Sequence, residues 1–316
     1  MVAGAEGQGG ALEVTELTEP TGLAVRWLVV GAGGQLGTDL LRVLERDGER
    51  DVVGLTRADL DIADHAAIDK AVAAHEPSIV VNAAAYTAVD AAETDEPAAV
   101  AANTTGPGFL AEACARSGAR LVHLSTDYVF AGDATQPYDE DDPTGPRSVY
   151  GRTKLAGERA VLHALPSAYV VRTAWVYGAT GSNFVKTMTK LERSRETLSV
   201  VDDQRGSPTW SFDLATGVVA LARSGAGGGI YHCTNAGETT WYGFTRAIFE
   251  ELGADPERVT PTTTDAFPRP APRPAYSVLG SRRWAQVGLP AMPHWRDALH
   301  EAFARHGSDL RGESLS

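Results

Sequence analysis

The chain has 316 residues, with 28 Lys plus Arg against 41 Asp plus Glu, a formal net charge of −13, and 43% apolar residues. This supports a sizeable core in roughly two domains or one large one, and it excludes a wholly disordered chain and the broad basic surface that nucleic acid requires. No apolar run approaches the roughly 18 residues of a bilayer span, and the two cysteines, Cys114 and Cys233, lack metal-ligand spacing, so free thiols in a reducing cytoplasm are expected.

In chain order, residues 1–24 contain four Glu and no Lys or Arg, which predicts a disordered extension rather than a signal peptide. From Val25 an apolar run to Val30 leads into Gly31-Ala-Gly-Gly-Gln-Leu-Gly37 and then a helical pattern through Leu40, Leu41 and Leu44. Buried-strand patterns follow at Val52–Leu55, Ile79–Val81, Leu121–Leu124, Tyr169–Val171 and Leu198–Val201, separated mostly by Ala-rich stretches of helical length. Such alternation predicts βαβ crossovers and an α/β fold: a doubly wound parallel Rossmann-type sheet with a smaller C-terminal substrate-binding domain. The division expected is a dinucleotide-binding domain over 25–172, rejoined by segments of about 198–235, and a mainly substrate-binding part over 173–316. In the last third the pattern predicts a strand at Ile230–Cys233, a helix over Trp241–Leu252 and an amphipathic helix over about His294–Arg305. Between them Phe267-Pro-Arg-Pro-Ala-Pro-Arg-Pro274 is too proline-rich for helix or central strand, so Arg269 and Arg273 are expected on an extended loop.

The glycine turn follows a predicted strand and opens a helix, as nucleotide binding at a helix N-terminus requires. Its spacing, Gly31-x-x-Gly34-x-x-Gly37, is that of extended short-chain dehydrogenases. Arg57 stands near the end of the second strand, where a cation favours the 2′-phosphate of NADPH, while Asp59 and Asp61 keep NADH open. Asp61 and Ile62 are placed to flank the adenine, and the small Ala83, Ala84 and Ala85 to pass close to the cofactor.

The sharpest signal is Tyr150-Gly-Arg-Thr-Lys154, because positions four apart share one helix face. An ammonium beside a phenol favours its ionised form, and lowering the phenol by ~3 pKa units corresponds to about 4 kcal/mol. A phenol so tuned can protonate a carbonyl oxygen near neutral pH. Ser125 and Thr126, at the carboxyl end of a preceding strand, offer a hydroxyl for the same oxygen.

These motifs resemble the dTDP-4-dehydrorhamnose reductase family. The matching segments are Gly31–Gly37, Val81–Asp90, Ser125–Phe130, Tyr150–Glu158, Arg172–Tyr177, Asp203–Thr209 and Arg269–Ser277, which span essentially everything after residue 25. The resemblance implies a catalytic triad of Thr126, Tyr150 and Lys154. It also implies a cofactor site of Gly31, Gly34, Gln35, Leu36, Gly37, Arg57, Asp61, Ile62, Ala83, Ala84 and Ala85 together with Tyr150 and Lys154, and sugar contacts from Thr126, Asp127, Trp175, Arg269 and Arg273. The implied reaction is hydride transfer from NADPH or NADH to the C4 ketone of dTDP-4-dehydrorhamnose. Some members bind Mg²⁺ at a dimer contact; Asp39 matches one such ligand, but Phe212 stands where another is expected, so no metal is expected to be required, and monomer and homodimer both stay open. A related dTDP-4-ketosugar reductase of natural-product biosynthesis remains an alternative. A 4,6-dehydratase is disfavoured, because Asp127-Tyr128 replaces the acid pair that elimination needs, and a non-catalytic regulator is disfavoured by the intact Tyr and Lys.

The acidity bears on binding. Removing the four tail carboxylates leaves −13 + 4 = −9, so small anions must be held by local donors: the helix start behind Gly34, and Arg57, Lys154, Arg269 and Arg273.

Overall fold

Strands with two apolar faces have to be covered on both sides, and the elements of this chain do that in order. The computed structural model describes residues 25–313, so the extension expected over 1–24 lies outside the described residues. The chain begins with β1 (Trp27–Val30), α1 (Gln35–Arg46), β2 (Val52–Leu55), α2 (His65–His75) and β3 (Ile79–Asn82). Two short helices, α3 (Val89–Ala92) and α4 (Glu96–Val100), and a π-helical turn at Ala101–Thr105 lead to α5 (Gly106–Ser117), β4 (Arg120–Thr126), α6 (Val149–Ala164) and β5 (Tyr169–Thr173). Next come β6 (Val176–Tyr177), α7 (Phe184–Ser194), β7 (Leu198–Val201), β8 (Arg205–Gly206), β9 (Thr209–Trp210), α8 (Ser211–Arg223) and β10 (Gly229–His232). The C-terminal part holds β11 (Thr239–Thr240), α9 (Trp241–Glu251), β12 (Val259–Thr262), α10 (Arg282–Gln286) and α11 (Trp295–Arg311).

Six strands form one parallel sheet in the order β10-β5-β4-β3-β1-β2. Alternation along each strand splits the core in two. Trp27, Val29, Val81, Val122 and Val171 pack with Leu40, Leu44, Leu214 and Val218 of α1 and α8 on one face. Leu28, Val30, Val80, Leu121 and Val170 pack with Ile68, Leu110 and Val161 of α2, α5 and α6 on the other. Strand order reverses at β1, which is flanked by β2 and β3, so a ligand crevice opens outside the carboxyl ends of these strands.

A smaller lobe is built from the pairs β6–β9, β8–β11 and β7–β12 around Tyr177, Trp210, Phe244, Trp295 and Leu299. Leu198–Val201 does not join the large sheet: β7 pairs with β12, because Val200 is buried there against Phe249 and Val259. Within 198–235, the elements that pack back on the large sheet are α8, against α1, and β10, beside β5. The last helix runs beyond its expected end to Arg311, with non-helical backbone at His306. Among the described residues no helix is long and apolar enough to cross a membrane.

Candidate active site

The turn after β1 is shaped by backbone packing. Gly31 has a left-handed φ of 84°, its amide donates to the Leu55 carbonyl at 2.9 Å, and a Cβ there would lie 2.6 Å from the Ala84 nitrogen. A Cβ on Gly37 would sit 2.2 Å from the Gly31 carbonyl oxygen, which allows α1 to start close beside the strand. Gly34 caps α1 with no side-chain hydrogen bond, so the first-turn amides are left for an outside acceptor. A dinucleotide phosphate fits this helix start, which has no side-chain cap. The Gln35 side chain is turned away to accept from Asn183 Nδ2 at 2.9 Å, and Leu36 packs against the α1-side core.

Ala83, Ala84 and Ala85 follow β3 beside this turn; the Ala83 amide donates to Val30 and the Ala84 amide to Asn82 Oδ1. Arg57 is exposed two residues beyond β2, on the rim of the same crevice. Asp59 is occupied within its own turn, accepting from the Thr56 amide and hydroxyl, which lower its pKa. Asp61 is exposed and accepts from the Ala63 amide, whereas Ile62 is buried beneath Gly106.

The start of α6 is fixed by Ser148, whose side chain accepts from the Gly151 amide at 3.1 Å, a cap worth about 1 kcal/mol. Tyr150 therefore emerges in the first turn, packed edge-on against Tyr128 with ring centroids 5.5 Å apart. Burial pushes its phenol up to about 12, with the Thr126 hydroxyl pulling downward by hydrogen bonding and Asp127 pushing upward. This differs from the sequence expectation of a phenol acidified by Lys154. The reason is geometric: Lys154, only 2% exposed, donates through Nζ to the Leu124 carbonyl at 2.6 Å, and burial brings the ammonium itself down to about 8. Tyr150 is held protonated, the state in which an acid begins a reduction.

The two adjacent hydroxyls of β4 face different ways. Ser125 donates to Glu158 Oε1 at 2.5 Å in the interior, while Thr126 donates to Asp127 Oδ1 at 2.9 Å and accepts from the Tyr128 amide. Asp127 is buried and pushed up to about 6 by that burial, with hydroxyls of Ser277 and Thr126 acting against it. Its Oδ2 and the Ser277 Oγ have no formed hydrogen bond, although Ser277 is near enough to influence the carboxyl.

Trp175, expected above to contact the sugar, has a left-handed φ of 48°, which is strained for a bulky side chain. Its indole lies over Gly206, where a Cβ would come within 2.4 Å of the ring, and it stacks on Trp241 at 3.5 Å between centroids. Arg273 is paired with Asp90 at 2.8 Å and lines a small cleft with Tyr128, Phe130 and Arg147. Arg269 is exposed on the proline loop, and no contact joins it to the triad among the described residues. Asp39, matched above to a metal ligand, is buried, paired with Arg42 at 2.9 Å and hydrogen-bonded by Ser211.

Sequence reasoning assigned no role to the buried Glu158–Arg172 pair or to His123, which meets Asn82 Nδ2 at 3.1 Å below Lys154. A signal for Glu158 was present: it lies four residues beyond Lys154 and eight beyond Tyr150, on the same helical face.

A parallel sheet with a glycine turn at its switch point, and Thr126, Tyr150 and Lys154 at one strand end and helix start, define an extended short-chain dehydrogenase/reductase. More narrowly, the chain belongs to the RmlD substrate binding domain family, whose model matches residues 25–307. It is 55% identical over 283 residues to a dTDP-4-dehydrorhamnose reductase of Streptomyces griseus, covering 88% of this chain and 93% of that one. It is 54% identical over 296 residues to a probable dTDP-4,6-dihydroxy-2-methyloxan-3-one 4-ketoreductase of Streptomyces antibioticus, covering 91% and 99%. Its fold is similar to the crystal structure of dTDP-4-dehydrorhamnose reductase from Bacillus anthracis in complex with NADP, with a TM-score of 0.86, 37% identity and coverage of 90% and 100%.

Proposed function

We propose that the chain reduces the C4 ketone of dTDP-4-dehydrorhamnose to give dTDP-L-rhamnose, with NADPH as the preferred donor and NADH as a second. The observation that carries this reading is the Thr126 hydroxyl at the end of β4, near enough to the Tyr150 phenol to act on it, beside buried Lys154, in a chain whose relatives are named for that reduction. The first-turn amides of α1 and Arg57 would hold the dinucleotide, which when bound supplies the hydride that forms the new C–H bond at C4.

The chain's own residues manage the proton. Thr126 and Tyr150 donate hydrogen bonds to the ketone oxygen, polarising it. As negative charge grows on that oxygen, the Tyr150 O–H bond breaks and the proton passes to it, leaving a phenolate that the Lys154 ammonium stabilises until solvent returns the proton. Lys154 also holds the nicotinamide ribose. Trp175 and Arg273 bound the sugar, with Arg269 reaching it from the proline loop and Asp127 beside Thr126. Elimination is poorly served here, because the neighbour of Asp127 is Tyr128, whose phenol burial pushes far above the range of a working base. No metal has a part in these steps. The enzyme acts in the cytoplasm, as a monomer or a homodimer.

A second reading, reduction of a different dTDP-4-ketosugar in natural-product assembly, is favoured by the match to 99% of the Streptomyces antibioticus ketoreductase. Both readings are tested by offering dTDP-4-dehydrorhamnose and other dTDP-4-keto-6-deoxyhexoses with NADPH and following loss of reduced-nicotinamide absorbance. Turnover of the rhamnose precursor at the highest kcat/KM supports the first; turnover of another sugar alone supports the second; no turnover of any sinks both.

A further inference from the structure

Behind the hydroxyl face of β4 lies a charged cluster that no step above uses. Glu158 on α6 and Arg172 on β5 are each 2% exposed at the side chain. Arg172 grips the carboxylate with two donors, Nε to Oε1 at 2.9 Å and Nη2 to Oε2 at 2.7 Å, and its guanidinium lies over the Phe130 ring at 4.9 Å. Ser125, the residue before Thr126, donates to the same Oε1 at 2.5 Å. One carboxylate therefore joins three elements: β5 through Arg172, β4 through Ser125, and α6, its own helix, which also carries Tyr150 and Lys154.

Resting on the reductase reading, we propose that Glu158 is a positioning residue: clamped by Arg172 and Ser125, it fixes the end of β4 carrying Thr126 against the face of α6 carrying Tyr150 and Lys154, with its carboxylate one helical turn from Lys154. A buried ion pair is weak support for stability as such, since its desolvation cost offsets its attraction, so a role in registry explains the burial better. Of the charged groups around Lys154, Glu158 is the one that favours its ammonium against burial. His123 on β4 is kept neutral by burial and by Lys154 itself. Asp127 and Tyr128 beyond β4 interact with Thr126 and Tyr150, while Asp90 of α3 is taken by Arg273 and Glu93, just after α3, by the Val149 amide.

The test compares wild type with Glu158→Gln, with the double variant Glu158→Gln/Arg172→Gln, and with Ser125→Ala. Its readouts are NADPH dissociation constant against pH, kcat, and Tm. Wild-type NADPH binding should weaken as pH rises through about 8, where Lys154 loses its proton. In both Glu158 variants that weakening should begin at lower pH, with kcat down about 10- to 100-fold from misplacement of the triad. Ser125→Ala should lower kcat several-fold while leaving the pH dependence of NADPH binding in place. If Glu158→Gln alone does not fold because it strands a buried guanidinium, the double variant, which removes both charges, carries the test. A folded double variant whose NADPH binding keeps the wild-type pH dependence overturns the proposal, whatever happens to its Tm. Absence of turnover with every ketosugar in a wild type that binds NADPH would instead remove the reductase reading and leave the binding arm to decide the role of Glu158.

Discussion

The two sides of the cleft are built by different physical means. The cofactor side is made of backbone: a left-handed Gly31, a Gly37 whose missing Cβ lets α1 close on the strand, and a helix start without a side-chain cap. The side proposed for the sugar is made of side chains drawn from distant parts of the chain, with Trp175 strained over Gly206 and Arg273 tied to Asp90 from 183 positions away. Backbone constraints act locally, so substitutions at Gly31 and Gly37 should affect dinucleotide binding as a whole, whereas substitutions on the second side should change which sugar fits. Between the two sit Thr126, Tyr150 and Lys154: changes at Thr126 and Tyr150 should act mainly on chemistry, whereas changes at Lys154 should act on chemistry and on dinucleotide binding together.

The largest effect is expected between the sides. Tyr150→Phe removes the proton donor and should lower kcat by about 10²- to 10⁴-fold, with NADPH affinity and KM for the sugar changed little. On the cofactor side, Arg57→Ala removes one charge-assisted contact and should weaken NADPH about 10- to 100-fold while sparing NADH, read from the two dissociation constants; an unchanged preference would take the 2′-phosphate role away from Arg57. On the sugar side, Trp175→Ala gives up an aromatic stack and should raise KM for the sugar about 2- to 10-fold with the NADPH constant unmoved. If it weakened NADPH equally, the contrast between the two sides would fail.

The smallest effect concerns stability against pH. Asp127 is raised from 3.8 to about 6 in the folded chain, so between those values the folded state binds more protons than the unfolded. Its contribution is therefore greatest at the acid end and is lost as pH rises through about 6. Thermal melts of wild type and Asp127→Asn should accordingly diverge, the wild type losing Tm relative to the variant as pH rises from about 4 to about 6.

What was legible in the sequence follows the same division. The strands of the large sheet, the glycine turn and the Tyr-x-x-x-Lys face announce themselves through short-range pattern, because each depends on periodicity or a local backbone requirement. The pairing of β7 with β12 was not legible, since Leu198–Val201 has the same apolar texture as a strand of the large sheet and only tertiary packing on Phe249 decides its partner. Nor was the electrostatic state of Tyr150. Spacing places Lys154 on the right face, but whether the ammonium acts on the phenol depends on where its proton donors go, and here they go to the Leu124 carbonyl. The Glu158–Arg172 pair was half-visible: the helical register of Glu158 can be read, but the strand charge that meets it becomes its partner only when β5 lies beside β4.

The most direct measurement is reduction of dTDP-4-dehydrorhamnose by the chain with NADPH carrying deuterium at both hydrogen positions of the nicotinamide C4, the product being read by NMR. One deuterium per product molecule is expected, bonded to C4 of a rhamnosyl ring, with one oxidised cofactor formed per sugar. Product with no deuterium at C4, or label bound at any other carbon, would contradict hydride transfer to C4.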